Sequence, residues 1–158
     1  MRGWIALAAG LVAADQATKA LVENRLPLAR AVDILPVLAL YRTHNTGIAF
    51  SMLSYAGSGA LVAATFAIMA FVLVFFLRTP ENRWLTRSGL ALVLAGAAGN
   101  LIDRIRFGYV VDFVLLHWHS WSFAVFNLAD AAITIGAAAV AADELRAMVA
   151  ARSGGAAK

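Results

Sequence analysis

Two aspartates in this chain sit where carboxylates are expensive to keep. Asp130 lies within Phe123–Ala142, a stretch with no other charge, and leads into the run Ala-Ala-Ile-Thr-Ile-Gly-Ala-Ala-Ala-Val-Ala-Ala. A lone carboxylate in so apolar a helix costs several kcal/mol to bury, so such residues face a protein interior and carry a function. Asp112 sits upstream in Tyr-Val-Val-Asp-Phe-Val, an equally apolar setting. Two isolated carboxylates in hydrophobic surroundings point to paired acid/base chemistry near a membrane, with one acid holding a proton and the other ionised.

Other polar groups accompany them. Asp15 and Lys19 stand at i, i+4 on one helix face, read either as a self-neutralising pair or as a polar prop beneath a site. Asn45 belongs to the turn-like segment His44-Asn-Thr-Gly-Ile-Ala-Phe50, and it either closes a turn or lends an amide to a polar network. Asn100, Asp103 and Arg104, at i, i+3 and i+4, share one helix face. Asn127 lies three residues before Asp130 and is read as facing the same way. Gly96 and Gly99, among alanines, allow close helix packing. His117 and His119 alternate as on one side of a strand, which is half a metal site at most, so no metal or other cofactor is expected. No nucleophilic serine signature and no glycine-rich phosphate loop is present.

These residues need elements to hold them. The chain has 158 residues, of which 62% are hydrophobic and 14% charged. Soluble domains are nearer half apolar and a quarter charged, so this composition belongs in a bilayer. A spanning helix needs about 20 mostly apolar residues. Four segments qualify: about Trp4–Val22, Gly59–Leu77, Ser88–Ile105 and Phe123–Asp143. The first is read as a retained helix and not a cleaved signal peptide, because Asp15 and Lys19 interrupt it. Ala31–Ser51, broken by Pro36, and Phe107–Ser122 read as short strands, with Tyr109, Trp118 and Trp121 suited to a membrane interface. The short basic connection Arg78–Arg87 favours the cytoplasm. Both termini follow it there, which gathers Asp15, Asp103, Asp112 and Asp130 at the opposite face. The expected fold is thus a membrane protein, mainly α, with four transmembrane helices and a small extracytoplasmic β-element. Residues 1–151 form one domain and 152–158 a disordered tail. Cysteine is absent, which excludes disulfides and thiol chemistry. The modest net charge of +4 is dispersed, and no nucleic acid partner is expected.

Taken in order, five motifs resemble the lipoprotein signal peptidase (signal peptidase II) family of aspartyl membrane peptidases. They are Asp15-Gln-Ala-Thr-Lys19, Asn45-Thr-Gly-Ile-Ala-Phe50, Gly99-Asn-Leu-Ile-Asp-Arg104, Val111-Asp-Phe113 and Phe126-Asn-Leu-Ala-Asp130. Ala95 departs from the pattern, where the family often has a second glycine; alanine is still small enough for close packing. The resemblance implies an endopeptidase, expected as a monomer in the bacterial inner membrane, with its active site near the periplasmic face. Its substrates would be diacylglyceryl-modified prolipoproteins held among membrane lipid and cut just before the lipidated cysteine. The family's catalytic pair falls on Asp112 and Asp130. Its supporting or substrate-binding residues fall on Asp15, Lys19, Asn45, Asn100, Asp103, Arg104 and Asn127. The alternative reading is a small membrane transporter or proton channel that uses its intramembrane aspartates as a relay. Against that stand the gathering of the acids at one face and the lack of an inverted repeat.

Overall fold

A computed structural model describes residues 2–47, 57–119 and 121–155. Four helices and four strands follow one another in the order α1 (Arg2–Arg25), β1 (Ala31–Leu35), β2 (Leu38–Asn45), α2 (Gly57–Arg78), α3 (Trp84–Phe107), β3 (Val110–Trp118), β4 (Trp121–Ser122) and α4 (Leu128–Gly155). The fold is mainly helical with one small antiparallel sheet, as the composition and the β-branched runs imply. Arg2–Arg25, Gly59–Arg78 and Trp84–Phe107 are long and apolar enough to cross a membrane. α4 differs from them. Its uncharged stretch between Asp130 and Asp143 is only residues 131–142, and much of it is alanine.

The sheet has the order β1-β2-β3-β4. Pro36 sits in the β1–β2 turn, where its missing N–H is not needed. β2 and β3 set Thr43 opposite Asp112 and Asn45 opposite Val110. Val22 of α1 packs with Val111 and Phe113 of β3, and this apolar cluster fastens the sheet to the end of the first helix. α3 ends at Gly108, whose φ of 80° and N–H to the Arg104 carbonyl close the helix and let the chain turn into β3. His119 has a φ of 53° and lies beyond β3. The strand alternation that would align His117 with His119 therefore stops at Trp118.

The fourth helix begins at Leu128, not at Phe123. Phe123–Phe126 are held extended along β3 instead: Phe123 N donates to Leu116 O at 2.8 Å, and Phe126 N donates to Val114 O at 3.0 Å. At its other end α4 continues past Asp143 and stays helical to Gly155, so the expected tail is helical over residues 152–155 and lies outside the described residues over 156–158.

α3 and α4 run antiparallel at close range because both present glycine. A Cβ on Gly89 would meet the Gly136 carbonyl oxygen, and one on Gly136 would meet that of Gly89. One on Gly96 would meet Ala129 O. Small residues let backbones approach where apolar burial gives no drive between helices in lipid. Beyond them Arg83 donates to Asp143 Oδ2 at 2.8 Å and to Glu144 Oε1 at 2.8 Å, tying the start of α3 to the far half of α4.

Gly136→Val forces these helices apart and should destabilise the protein by about 1–3 kcal/mol. Gly10, with nothing within 4 Å of a built Cβ, should accept alanine with no loss. Thermal melts of both variants in the same detergent check the contrast.

Candidate active site

Lys19 lies at the centre of the polar residues. Its ammonium is 2.9 Å from Asp15 Oδ2, 2.9 Å from Asp103 Oδ2, and donates to Asn100 Oδ1 at 3.0 Å. All four side chains are buried. Each partner also bonds a further element, α4 for Asp15 and Asn100 and β3 for Asp103. Asp15 Oδ1 accepts the Ala129 N–H of α4 at 3.0 Å. Asp103 Oδ2 accepts the Val111 N–H of β3 at 3.1 Å. Asn100 Nδ2 donates to Asp130 Oδ1 at 2.7 Å. One buried cation thus fixes α1 and α3 and, through its partners, the two elements that carry Asp112 and Asp130. The i, i+4 pairing of Asp15 with Lys19 is present, and it is part of this larger prop.

Asp130 is in the first turn of α4. Its N–H donates to Asn127 Oδ1 at 2.9 Å, and its Oδ2 accepts the Asn127 N–H at 3.2 Å. This reciprocal arrangement is a capping box with Asn127 as the cap, which satisfies two backbone donors and starts the helix at Leu128. Asn127 therefore does not ride one turn behind Asp130 on a shared face. It stands outside the helix, and that frees its side-chain amide to donate to Asp112 Oδ1 at 2.6 Å.

Asp112 is buried on β3, and its other oxygen, Oδ2, accepts from Asn45 Nδ2 at 2.9 Å. Asn45 is itself turned by its Oδ1, which accepts the Gly47 N–H at 2.9 Å. Both readings of Asn45, turn residue and network amide, hold together. The rest of its motif, residues 48–50, lies outside the described residues. Burial pushes the Asp112 carboxyl up to about 6; the Asn45 hydrogen bond opposes this, the Asp130 charge reinforces it, and Asn127 and Lys19 oppose it less. Asp130 borders an apolar cleft of about 510 Å³ lined by Leu116, Phe123–Phe126, Ala131, Thr134 and Ile135. A buried acid of raised pKa, a second acid open to an apolar cleft and amides on both are the elements of general acid/base hydrolysis.

Arg104 stands apart from this network. Its Nη1 donates to Asn100 O at 3.4 Å, within its own helix. Asp103, the partner its spacing offers, is taken by Lys19, which reaches it from α1. Gln16 was not singled out by its sequence setting, yet its Nε2 donates to Asp103 Oδ1 at 2.9 Å and lies 3.2 Å from Gly99 O. Only its place between Asp15 and Lys19 hinted at this. His117 and His119 lie away from the network; His117 is 3.7 Å from Asp33. Among the described residues no group of three or more His, Cys, Asp or Glu is placed to hold a metal ion.

Known proteins align with this chain over most of its length. The family described as Signal peptidase (SPase) II matches residues 7–146. A lipoprotein signal peptidase of Sinorhizobium fredii is 54% identical over 132 residues, covering 84% of this chain and 80% of that protein. One from Brucella ovis is 55% identical over 130 residues, covering 82% of this chain and 81% of that protein. A bacterial membrane enzyme solved by the in meso method at 1.9 Å superposes with a TM-score of 0.83 at 28% identity, covering 92% of this chain and 94% of that one.

Lys19→Ala strands two buried carboxylates and should cost about 3–5 kcal/mol, read as a loss of folded protein or a large drop in Tm. The raised pKa of Asp112 also has a definite sign. Its contribution to stability is fully present below pH 4 and is lost as pH rises through about 6. The Tm of Asp112→Asn minus that of the wild type should therefore grow from pH 4 to pH 7. A pH-independent difference would contradict the assignment.

Proposed function

The chain belongs to the signal peptidase II family, and from that premise we propose that Asp112 and Asp130 are its catalytic pair in an aspartic endopeptidase reaction. The substrates are diacylglyceryl-modified prolipoproteins, and cleavage falls just before the lipidated cysteine. The observation that carries the assignment is that Asn127 bonds both acids, through its amide to Asp112 and its N–H to Asp130. Two carboxylates so close ionise in sequence, and the pair holds one proton at working pH. The ionised member takes a proton from water, whose oxygen attacks the scissile carbonyl. The protonated member gives its proton to the carbonyl oxygen. In the second half, a proton passes to the amide nitrogen as the C–N bond breaks and the signal peptide leaves. Asp15, Lys19, Asn45, Asn100, Asp103 and Asn127 hold the pair in place. Arg104 is too basic to exchange protons and is left to meet the substrate.

The setting follows. Three helices have the length and composition of spans. α4 is the fourth, since its contacts with α3 run from Ala129 beside Gly96 to Asp143 beside Thr86, alongside a spanning helix. Arg78, Arg83 and Arg87 favour the cytoplasm for the α2–α3 connection, and an even number of spans carries both termini with it. The site then lies near the periplasmic face of the inner membrane, where a monomer takes its lipid-bearing substrate from the bilayer into the cleft beside Asp130.

The test is incubation of the purified protein in detergent with a diacylglyceryl-modified prolipoprotein, reading the size shift of the product. Asp112→Asn and Asp130→Asn should each lower the rate by more than about 100-fold while remaining folded. Near-normal turnover by either variant refutes the pair.

A further inference from the structure

On α1, Glu23 follows Lys19 by four residues as Lys19 follows Asp15, so the two acids and the base between them share one helix face. The first two reach α4, α3 and, through Asp103, β3. Glu23 reaches the one site-bearing strand left over, β2. His44 Nε2 lies 2.7 Å from Glu23 Oε1. Arg42, two residues earlier on the same side of β2, donates to the Glu23 carbonyl oxygen at 2.6 Å, one of the last-turn carbonyls that the helix itself leaves free. The His44 ring stacks on Tyr109 with centroids 3.9 Å apart. The groups facing His44 are therefore Glu23 from α1, Arg42 from its own strand and Tyr109 from the link between α3 and β3.

The next residue is Asn45, pointing to the other side of the strand, with its amide on Asp112. It is the last residue of β2, and strand ends open readily unless something holds them. On its far side the backbone turns away through Gly47 at a φ of 85°. We infer that Glu23 and His44 are positioning residues, which clamp the end of β2 to α1 so that Asn45 meets Asp112. This rests on Asp112 being catalytic, but the clamp has its own signature. The charged groups facing Asp112 are Asp130 and Lys19, and Asn45 holds its carboxylate form against burial. Releasing Asn45 therefore moves the titration of Asp112 upward, which a merely structural contact some distance away does not do.

The test uses the full chain in detergent, with Glu23→Ala, Glu23→Gln, His44→Ala, Asn45→Ala and the double variant of Glu23→Ala with Asn45→Ala. Glu23→Ala should lower kcat/KM about ten-fold and raise the apparent pKa of the limb of the pH profile that reports Asp112. Glu23→Gln, which keeps an acceptor for the His44 N–H, should stay near the wild type. In the Asn45→Ala background Glu23→Ala should add nothing, because the clamp has no amide left to position. Equal losses in both backgrounds, or an unmoved limb, would overturn the inference, and so would full activity of Glu23→Ala. If Glu23→Ala does not fold, His44→Ala carries the same comparison. A second readout does not depend on turnover: the infrared carboxyl band of Asp112, assigned by difference from Asp112→Asn, should titrate higher in His44→Ala than in the wild type. If the wild type failed to cut a lipidated precursor while that band still shifted, the catalytic reading would fail and the clamp would stand. An unshifted band would remove the clamp.

Discussion

A buried ammonium between two buried carboxylates organises this molecule. Lys19, Asp15 and Asp103 are each at most 3% exposed. An ion removed from water is stable only if its partners are well placed, and removing one member leaves the others uncompensated. That severity makes the triad useful as a frame. Each carboxylate also accepts a backbone N–H, one from α4 and one from β3, so the geometry that balances charge also sets where the helix and strand begin. Asn100 extends the frame by one more step to Asp130. The acids of the site are therefore placed by polar contacts between elements distant in sequence, in a protein whose helix surfaces offer little else that is directional.

How much of this could be read in advance depends on the kind of signal. Asp112 and Asp130 stood out because a carboxylate in an apolar run has few structural excuses, and the five motifs in order carried the family. Asp15, Lys19, Asn100 and Asp103 were legible as a prop through helical spacing alone. Spacing misleads where an apolar run extends beyond the start of its helix. Phe123–Phe126 is as apolar as a span, and pairing with β3, which just precedes it, holds it extended. The Asn-x-x-Asp signature of a helix start was present at Asn127, but the hydrophobic run across it concealed the boundary. Adjacency likewise says little of pairing: Asp103, next to Arg104 in sequence, faces Lys19 on another helix. Gln16 and Glu23 act through partners on other elements, and only their places beside Asp15 and Lys19 on α1 mark them.

Asp130 serves two ends at once. It closes the capping box that starts α4, and it is the acid that borders the cleft. A negative charge in the first turn of a helix is favoured by the free N–H groups there. In the proposed reaction, transfer of a proton to this group weakens that interaction, which links the chemistry to the local stability of the helix through one side chain. The glycine contacts farther along α3 and α4, with the Arg83 bridges beyond them, keep the remainder of the helix in register whatever the charge at its start.

α2 makes the fewest demands of this kind. Phe76 is its buried apolar anchor against α3, while Phe66, Ile68, Phe71, Leu73 and Leu77 lie exposed. Twenty-two residues at about 1.5 Å each give it a reach of roughly 33 Å, close to the thickness of a hydrocarbon core. Such a helix is constrained in span more than in spelling. Any apolar side chain suits its outer face, but a deletion of one turn would shorten it by about 5.4 Å and draw Arg78 at its end toward the hydrocarbon. α2 thus works as a depth gauge, a helix whose length, more than its wording, is matched to the chain length of the lipid around it.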